Sequence, residues 1–151
     1  MTATIRILGI DPGLRHTGWG VVEQTGARLA HVAHGVISVD TTMEMAARLA
    51  GIFTAVAEIA RLHAPHAAGI EETLVNANPR SALKLGQARG AAMAALSLAS
   101  LPVAEFAPRK IKLSVVGTGT ADKDQVMFMV KRLLPRAGEM KADAADALAC
   151  A

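Results

Sequence analysis

The sequence predicts an α/β fold with a mixed five-stranded sheet flanked by helices. Three strand-like segments open the chain, and the spacing of the apolar residues then changes to a helical period. After that change, helical segments alternate with short apolar strands, which is typical of a sheet covered on its faces. The 151 residues, of which 52% are hydrophobic, suffice for one domain over residues 1–151 with its own core.

The N-terminal third predicts an antiparallel meander. The segments Ile5 to Asp11, Thr17 to Gln24 and Ala27 to Val39 read as strands. The second and third are separated by Thr25-Gly26, a turn signal of the hairpin type. Three consecutive strands with tight turns pair most simply with their neighbours in the chain.

A helix is predicted next, from Glu44 to about His63. The spacing Thr41-x-x-Glu44 is that of a capping box. Polar residues then recur every three or four positions and form one solvent-facing stripe on an otherwise apolar helix. Pro65 ends this helix.

The remaining segments alternate between strand and helix. Asn78-Pro79, an N-cap followed by proline, opens a helix that runs to about Ser100. The predicted strands are Ala67 to Glu71 and Pro102 to Phe106, and the last two helices are Asp122 to Leu134 and Ala142 to Ala151. This order implies the mixed sheet.

Composition narrows the class of protein. Cys150 is the only cysteine, so neither a disulfide framework nor a cysteine-based zinc site is expected. No signal peptide and no membrane-spanning run is visible, and a cytoplasmic location is expected. Residues 80–151 carry eleven Lys and Arg against six Asp and Glu, whereas residues 1–79 carry five against seven. The basic half could attract phosphate, but from charge alone an ordinary solvated surface is the favoured interpretation.

Carboxylates close two of the predicted strands. Asp11 ends the first strand, and Pro12 and Gly13 turn the chain there. Glu71 and Glu72 end the fourth strand, and only one of them faces any given site because side chains alternate across a strand. A turn-forming aspartate and a solvated strand end are the alternative explanations.

Asp143 and Asp146 lie three residues apart on the last predicted helix and so share a face. Helix-start acids favoured by the macrodipole are the alternative explanation. If these acids converge with the strand-end acids, they need a counter-charge, and hard oxygen ligands select Mg²⁺ or Mn²⁺. Two such ions about 4 Å apart can promote phosphodiester hydrolysis. Convergence is an assumption, because separation in sequence does not show it.

Several motifs in a fixed order carry a family resemblance. They are GIDPG at residues 9–13, TGWG at 17–20, SALKLGQARG at 81–90, VVGTG at 115–119 with ADK at 121–123, and ADAADALA at 142–149. Together they resemble the RuvC-type Holliday-junction resolvases over almost the whole chain.

This resemblance implies a ribonuclease H-like fold and a homodimer that nicks two like strands of a four-way DNA junction in recombination and repair. It implies two Mg²⁺ ions per site, for which Mn²⁺ substitutes, and products with a 5′-phosphate and a 3′-hydroxyl. A branch-migration complex of the RuvA and RuvB type is the implied partner. Glu71 is chosen over Glu72 because the family glutamate directly follows the isoleucine of the strand. The implied catalytic and metal-binding residues are Asp11, Glu71, Asp143 and Asp146.

The implied DNA contacts are less specific. Lys112 and Lys123 match basic residues that the family places near the junction, and residues 73–80 form the expected contact loop. Leu74 departs from the family, which often has an aromatic residue there to stack on a base; tyrosine is absent from this chain. Leucine can still insert between DNA bases, but it is in doubt whether this chain keeps the family's preference for particular DNA sequences at the cleavage site. The expected DNA-contacting residues are Leu74, Asn76, Arg80, Arg109, Lys110, Lys112 and Lys123.

Three alternatives stay open. Gly86 and Gly90, four residues apart on a helix, could serve subunit contact or packing within one subunit. An ATPase of the actin and chaperone type also begins with Gly-Ile-Asp-x-Gly, but it needs two such halves to enclose a nucleotide. A junction-binding protein without catalysis would be expected to lose some of the four acids.

Overall fold

A computed structural model describes residues 3–72, 78–138, 140 and 142–151, with side chains in the last helix from residue 145 onward. Its strands form one sheet in the order β3-β2-β1-β4-β5. The strands are β1 (Thr4–Asp11), β2 (His16–Thr25), β3 (Arg28–Ser38), β4 (Ala67–Glu71) and β5 (Val103–Phe106). The helices are α1 (Met45–His63), α2 (Pro79–Leu98), α3 (Pro108–Val116), α4 (Lys123–Leu133) and α5 (Ala142–Cys150), with a 3₁₀ turn at Pro135–Ala137.

The predicted mixed sheet is confirmed. Strands β1, β2 and β3 pair antiparallel as a meander, whereas β4 pairs parallel to β1 and β5 pairs parallel to β4. Gly26 occupies the turn between β2 and β3 with φ of 60°, a conformation that glycine adopts without strain. Within the described residues, no helix is both long and apolar enough to cross a membrane.

The predicted capping box at Thr41 and Glu44 is wrong. Helix α1 begins at Met45, and the preceding Glu44 makes no side-chain cap hydrogen bond. The Asp40 carboxylate instead accepts hydrogen bonds from the backbone N–H and the hydroxyl of Thr42. This local turn competes with helix geometry, so the helix begins at Met45 and not directly after Thr41, where a capping box would have begun it.

Helices α2 and α4 begin where the sequence predicted. The Asn78 side chain accepts a hydrogen bond from the Ser81 N–H at 3.2 Å, with Pro79 as the first helical residue of α2. Asp122 and Gln125 form a reciprocal capping box at the start of α4. Both helices are therefore begun by residues whose side chains satisfy free backbone N–H groups.

Helix α3 is absent from the sequence prediction. It has only nine residues, too few to show a clear 3.6-residue period. Its boundaries were nevertheless marked, because Pro108 is its first residue and Gly117 follows its last with φ of 95°. The helix matters for function because it carries three of the predicted DNA-contacting residues.

The two faces of the sheet are covered differently. Helices α1 and α2 pack on one face, where Leu8, Ile10 and Ile70 are fully buried. Helix α5 lies on the other face and contacts β1, β2, β3 and β4, with α4 packed against it. The acids at the ends of β1 and β4 are consequently close to the C-terminal helix.

Glycines let α5 approach the sheet closely. A Cβ added at Gly9 would lie 2.1 Å from the backbone oxygen of Ala147, and one added at Gly69 would lie 3.0 Å from that of Cys150. Gly20 on β2 faces the same helix. Strand backbone and helix backbone are therefore in near contact, which only glycine permits on the strands.

Gly9→Ala should destabilise the fold by about 1–3 kcal/mol, because the new methyl group overlaps the α5 backbone. Urea unfolding of the purified protein measures the loss. Gly51→Ala is the matched control: a Cβ there meets only Val39 at 3.5 Å, and alanine should stabilise helix α1 by about 0.5–1 kcal/mol. A Gly9→Ala variant as stable as the wild type would contradict the close approach of α5.

Candidate active site

Two predicted acids lie side by side at the edge of the sheet. The parallel register pairs Ile10 with Ile70, so the following residues, Asp11 and Glu71, end neighbouring strands. Parallel strands lie about 4.8 Å apart, which puts the two carboxylates within reach of one cation. Convergence of the strand ends, assumed from the sequence, is present in the structure.

The structure also distinguishes Glu71 from Glu72. Gly69 faces Cys150 of α5, and residues two apart on a strand share a face. Glu71 therefore points to the α5 side of the sheet, whereas Glu72 points to the opposite side and is exposed. The geometry agrees with the choice that the family resemblance made.

Glu71 and Asp146 line one pocket of about 110 Å³ together with two lysines. Its floor and walls come from β4 and from helices α3, α4 and α5, which are distant in the chain. The full lining is Glu71, Pro108, Ile111, Lys112, Lys123, Val126, Asp146 and Ala149. Acidic and basic side chains thus share a partly apolar cleft at the strand ends.

Cys150 reports on the charge at this site. Burial, together with the nearby carboxylates of Glu71 and Asp11, raises the pKa of its thiol to about 12. Both effects disfavour a thiolate, so Cys150 stays neutral at physiological pH and is a poor nucleophile. Its proximity to both acids places them around the same point of the sheet surface.

The donor chemistry of the site fits a divalent cation. Asp11, Glu71 and Asp146 offer only carboxylate oxygens, which Mg²⁺ and Mn²⁺ prefer. Among the described residues, no three His, Cys, Asp or Glu side chains are grouped closely enough to hold a metal ion by themselves. The fourth predicted ligand, Asp143, belongs to helix α5, but its side chain lies outside the described residues. Its role as a ligand stays a prediction.

Lys112 and Lys123, which were predicted to lie near junction DNA, both lie beside the acidic side chains of the pocket. Lys112 is half-buried on α3, Lys123 is the exposed first residue of α4, and both line the pocket with Glu71 and Asp146. Two ammonium groups beside the carboxylates partly offset their negative charge and offer sites for phosphate oxygens. Contact with DNA itself stays a prediction.

The other predicted DNA contacts are scattered around this edge. Lys110 places its Nζ 5.6 Å from the centre of the Phe106 ring, and the side chain of Arg109 lies over Gly119. Arg80 is exposed in the first turn of α2. These three residues could contact phosphate without belonging to the pocket. Leu74 and Asn76 lie outside the described residues, so nothing tests their predicted roles.

One side chain at the site was missed by the sequence reasoning. Arg89 on α2 donates from Nε to the backbone oxygen of Glu71 at 3.0 Å and forms an ion pair with Glu105. The arginine stands inside the SALKLGQARG motif, which was the only signal that could have identified it. Its contact depends on which strand lies over α2, and that is a property of the folded chain.

Comparison with known proteins gives consistent matches. A family model described as crossover junction endodeoxyribonuclease RuvC matches residues 7–151. A protein of that name from Hyphomonas neptunium is 80% identical over 151 residues, covering all of this chain and 90% of the relative. Another, from Granulibacter bethesdensis, is 54% identical over 149 residues, covering 99% of this chain and 84% of the relative.

A solved structure agrees with these relatives. The structure of T. thermophilus RuvC in complex with Holliday junction substrate superposes with a TM-score of 0.89 at 32% identity. The match covers 97% of this chain and 90% of that one. Both the sheet and the helices around it are therefore shared.

Proposed function

The chain belongs to the RuvC family of crossover junction endodeoxyribonucleases, with its ribonuclease H-like fold, and we propose that it resolves four-way DNA junctions at the site around Asp11, Glu71 and Asp146. The observation that carries this proposal is the pocket at the strand ends, which Glu71 and Asp146 share with Lys112 and Lys123. Phosphodiester hydrolysis needs carboxylates that hold a cation and cationic side chains that hold phosphate. The structure of a relative with Holliday junction substrate supports the choice of DNA.

The metal centre is proposed as two Mg²⁺ ions, with Mn²⁺ as a substitute. Asp11, Glu71, Asp143 and Asp146 would hold these ions through their carboxylate oxygens. When bound, such ions polarise the scissile phosphate and make a water molecule a stronger nucleophile at neutral pH. The products expected from such hydrolysis are a 5′-phosphate and a 3′-hydroxyl.

The lysines have a separate task. Carboxylates alone repel the DNA backbone, so phosphate must be attracted by cationic side chains at the mouth of the site. Lys123 is exposed beside the pocket and would hold the scissile strand, while half-buried Lys112 would bind a phosphate deeper in the cleft. Arg80, Arg109 and Lys110 would add affinity that does not depend on base sequence.

A homodimer is proposed from the outer face of α2. Leu83 on this face is 74% exposed, and a Cβ added at Gly86 or Gly90 would meet nothing within 4 Å among the described residues. Packing against the described part of the same subunit therefore does not explain these two glycines. A two-fold contact along this helix would give two equivalent active sites, matching two like strands of a junction.

Leu83→Glu should weaken the dimer by about tenfold or more, because a charge would be buried at the proposed contact. Sedimentation velocity over a range of concentrations measures the shift towards monomer. Leu62→Glu on α1, where leucine is 62% exposed, is the control and should leave the association unchanged. If both variants associate like the wild type, the contact lies elsewhere.

The cellular setting follows the family resemblance. A cytoplasmic location and a branch-migration partner of the RuvA and RuvB type are proposed. Both stay proposals, because no contact of the described residues bears on either of them.

Metal removal tests the enzymatic proposal against its rivals. A labelled four-way junction should be cut in Mg²⁺, should stay intact in chelator, and should be cut again when Mg²⁺ or Mn²⁺ is restored. Cutting that persists in chelator contradicts the metal-dependent mechanism. Tight junction binding without cutting in either metal favours the non-catalytic binding protein, and ATP binding in a calorimetric titration favours the ATPase alternative.

A further inference from the structure

The backbone carbonyl of Glu71 is missing its normal partner in the sheet. The N–H groups of Ala68 and Glu72 donate to the carbonyls of Pro102, just before β5, and of Phe106 in β5, at 2.9 and 2.8 Å. Because successive backbone groups alternate in direction along a strand, those of Glu71 point to β1 instead. The register pairs residue 70 with residue 10, and the next N–H along β1 that could reach the Glu71 carbonyl belongs to residue 12. Residue 12 is Pro12, which has no N–H.

Arg89 supplies the donor that Pro12 lacks. Its Nε lies 3.0 Å from the Glu71 backbone oxygen, and its Nη2 pairs with the carboxylate of Glu105 on β5. The Arg89 side chain is only 17% exposed. A guanidinium held at two points in a partly buried setting has a defined orientation, because its donors are rigidly linked.

Arg89 contacts Glu71 from the face of the sheet opposite the pocket. Helix α2 packs on the α1 side, where Ala88 beside Arg89 is fully buried, whereas the Glu71 side chain lies on the α5 side and lines the pocket. Arg89 therefore reaches the main chain of Glu71 and not the reacting groups. It acts through the residue that it holds.

We propose that Arg89 is a positioning residue that replaces the absent ladder hydrogen bond at Pro12 and thereby fixes the Glu71 carboxylate towards the metal site. The inference rests on the proposed function, since it assigns Glu71 to that site. A strand end with an unpaired carbonyl could twist, and a carboxylate displaced by a fraction of an ångström binds a cation less well. Partners that orient metal ligands typically contribute about 10–100-fold to metal affinity or activity.

The test uses Mn²⁺ binding to the free protein, followed by electron paramagnetic resonance, beside junction cutting and junction binding in chelator. Arg89→Met should weaken Mn²⁺ binding and slow cutting, each by about tenfold or more, with junction binding changed by less than about twofold. Glu105→Gln is the matched control. It weakens the ion pair but leaves the bond from Nε to Glu71, so a smaller loss is expected.

A rescue variant separates positioning from general stability. Pro12→Ala restores a backbone N–H opposite the Glu71 carbonyl, so the double variant Pro12→Ala with Arg89→Met should recover part of the lost Mn²⁺ affinity. Loss of a merely structural arginine would lower the melting temperature without changing Mn²⁺ affinity in the folded protein. If Arg89→Met does not fold, Arg89→Lys, which keeps the charge opposite Glu105, is measured in its place with the same expected loss.

The outcomes distinguish this inference from the proposed function. Wild-type Mn²⁺ affinity in a folded Arg89 variant overturns the positioning role. A wild-type protein that binds Mn²⁺ but cuts no junction overturns the proposed function, while the comparison of variants still tests Arg89. A wild-type protein that binds no Mn²⁺ overturns both.

Discussion

Replacing Asp11 by asparagine is expected to slow junction cutting by about 1000-fold or more, beyond the 10–100-fold typical of groups that only support a metal ligand. The substitution keeps the shape of the side chain at the end of β1 and removes its charge. Asp11 ends β1 beside Glu71, on the face of the sheet that α5 covers, and its carboxylate is proposed to bind the metal directly. The lysines that hold phosphate are unchanged, and junction binding should persist.

Single-turnover cutting in Mg²⁺, with a binding assay in chelator, measures both effects. Asp40→Asn is the matched control, because Asp40 lies in the loop before α1 and asparagine can accept the same hydrogen bonds from Thr42. That variant should cut normally. Cutting by Asp11→Asn at a rate near that of the wild type would refute its assignment to the metal site.

The second large effect concerns two adjacent glutamates. Glu71→Gln should slow cutting by about 100-fold or more, since a carboxylate that lines the pocket is lost. Glu72→Gln should change the rate by less than about threefold, because Glu72 lies on the opposite side of the sheet and is exposed. The two variants differ by one position and have the same chemistry, so the comparison reports the direction of the side chain.

A second readout accompanies this pair. Without metal, the carboxylates around Asp11 repel each other, so Glu71→Gln should raise the melting temperature of the metal-free protein, whereas Glu72→Gln should leave it unchanged. Differential scanning calorimetry in chelator measures the shift. Equal losses of cutting in both variants, or a larger loss in Glu72→Gln, would contradict the placement of Glu71 in the pocket.

Local patterns predicted most of the fold. Strand segments bounded by turn residues, and helices opened by Asn78 or Asp122, need only neighbours in the chain to be identified. Two errors have local causes. Asp40 formed a turn that displaced the start of α1, and α3 was too short for its period to stand out.

The site was predictable in composition but not in geometry. Acids at Asp11 and Glu71 were visible as strand ends, yet the choice between Glu71 and Glu72 depends on which face α5 covers. The glycines on the strands and the alanine-rich helix α5 together determine which face of the sheet α5 covers. This is a long-range property that residue spacing does not encode. The role of Arg89 is further removed, because it depends on Pro12 standing opposite the Glu71 carbonyl in the parallel register.

The most direct test uses a mobile four-way junction with each strand labelled in turn, beside a linear duplex of the same sequence, in Mg²⁺ and in chelator. We expect paired symmetric nicks in two like strands of the junction, with 5′-phosphate ends, and an intact duplex. In chelator we expect no cutting. Equal cutting of junction and duplex, or junction binding with no cutting in Mg²⁺ or Mn²⁺, would contradict the assignment of this chain as a junction-resolving nuclease.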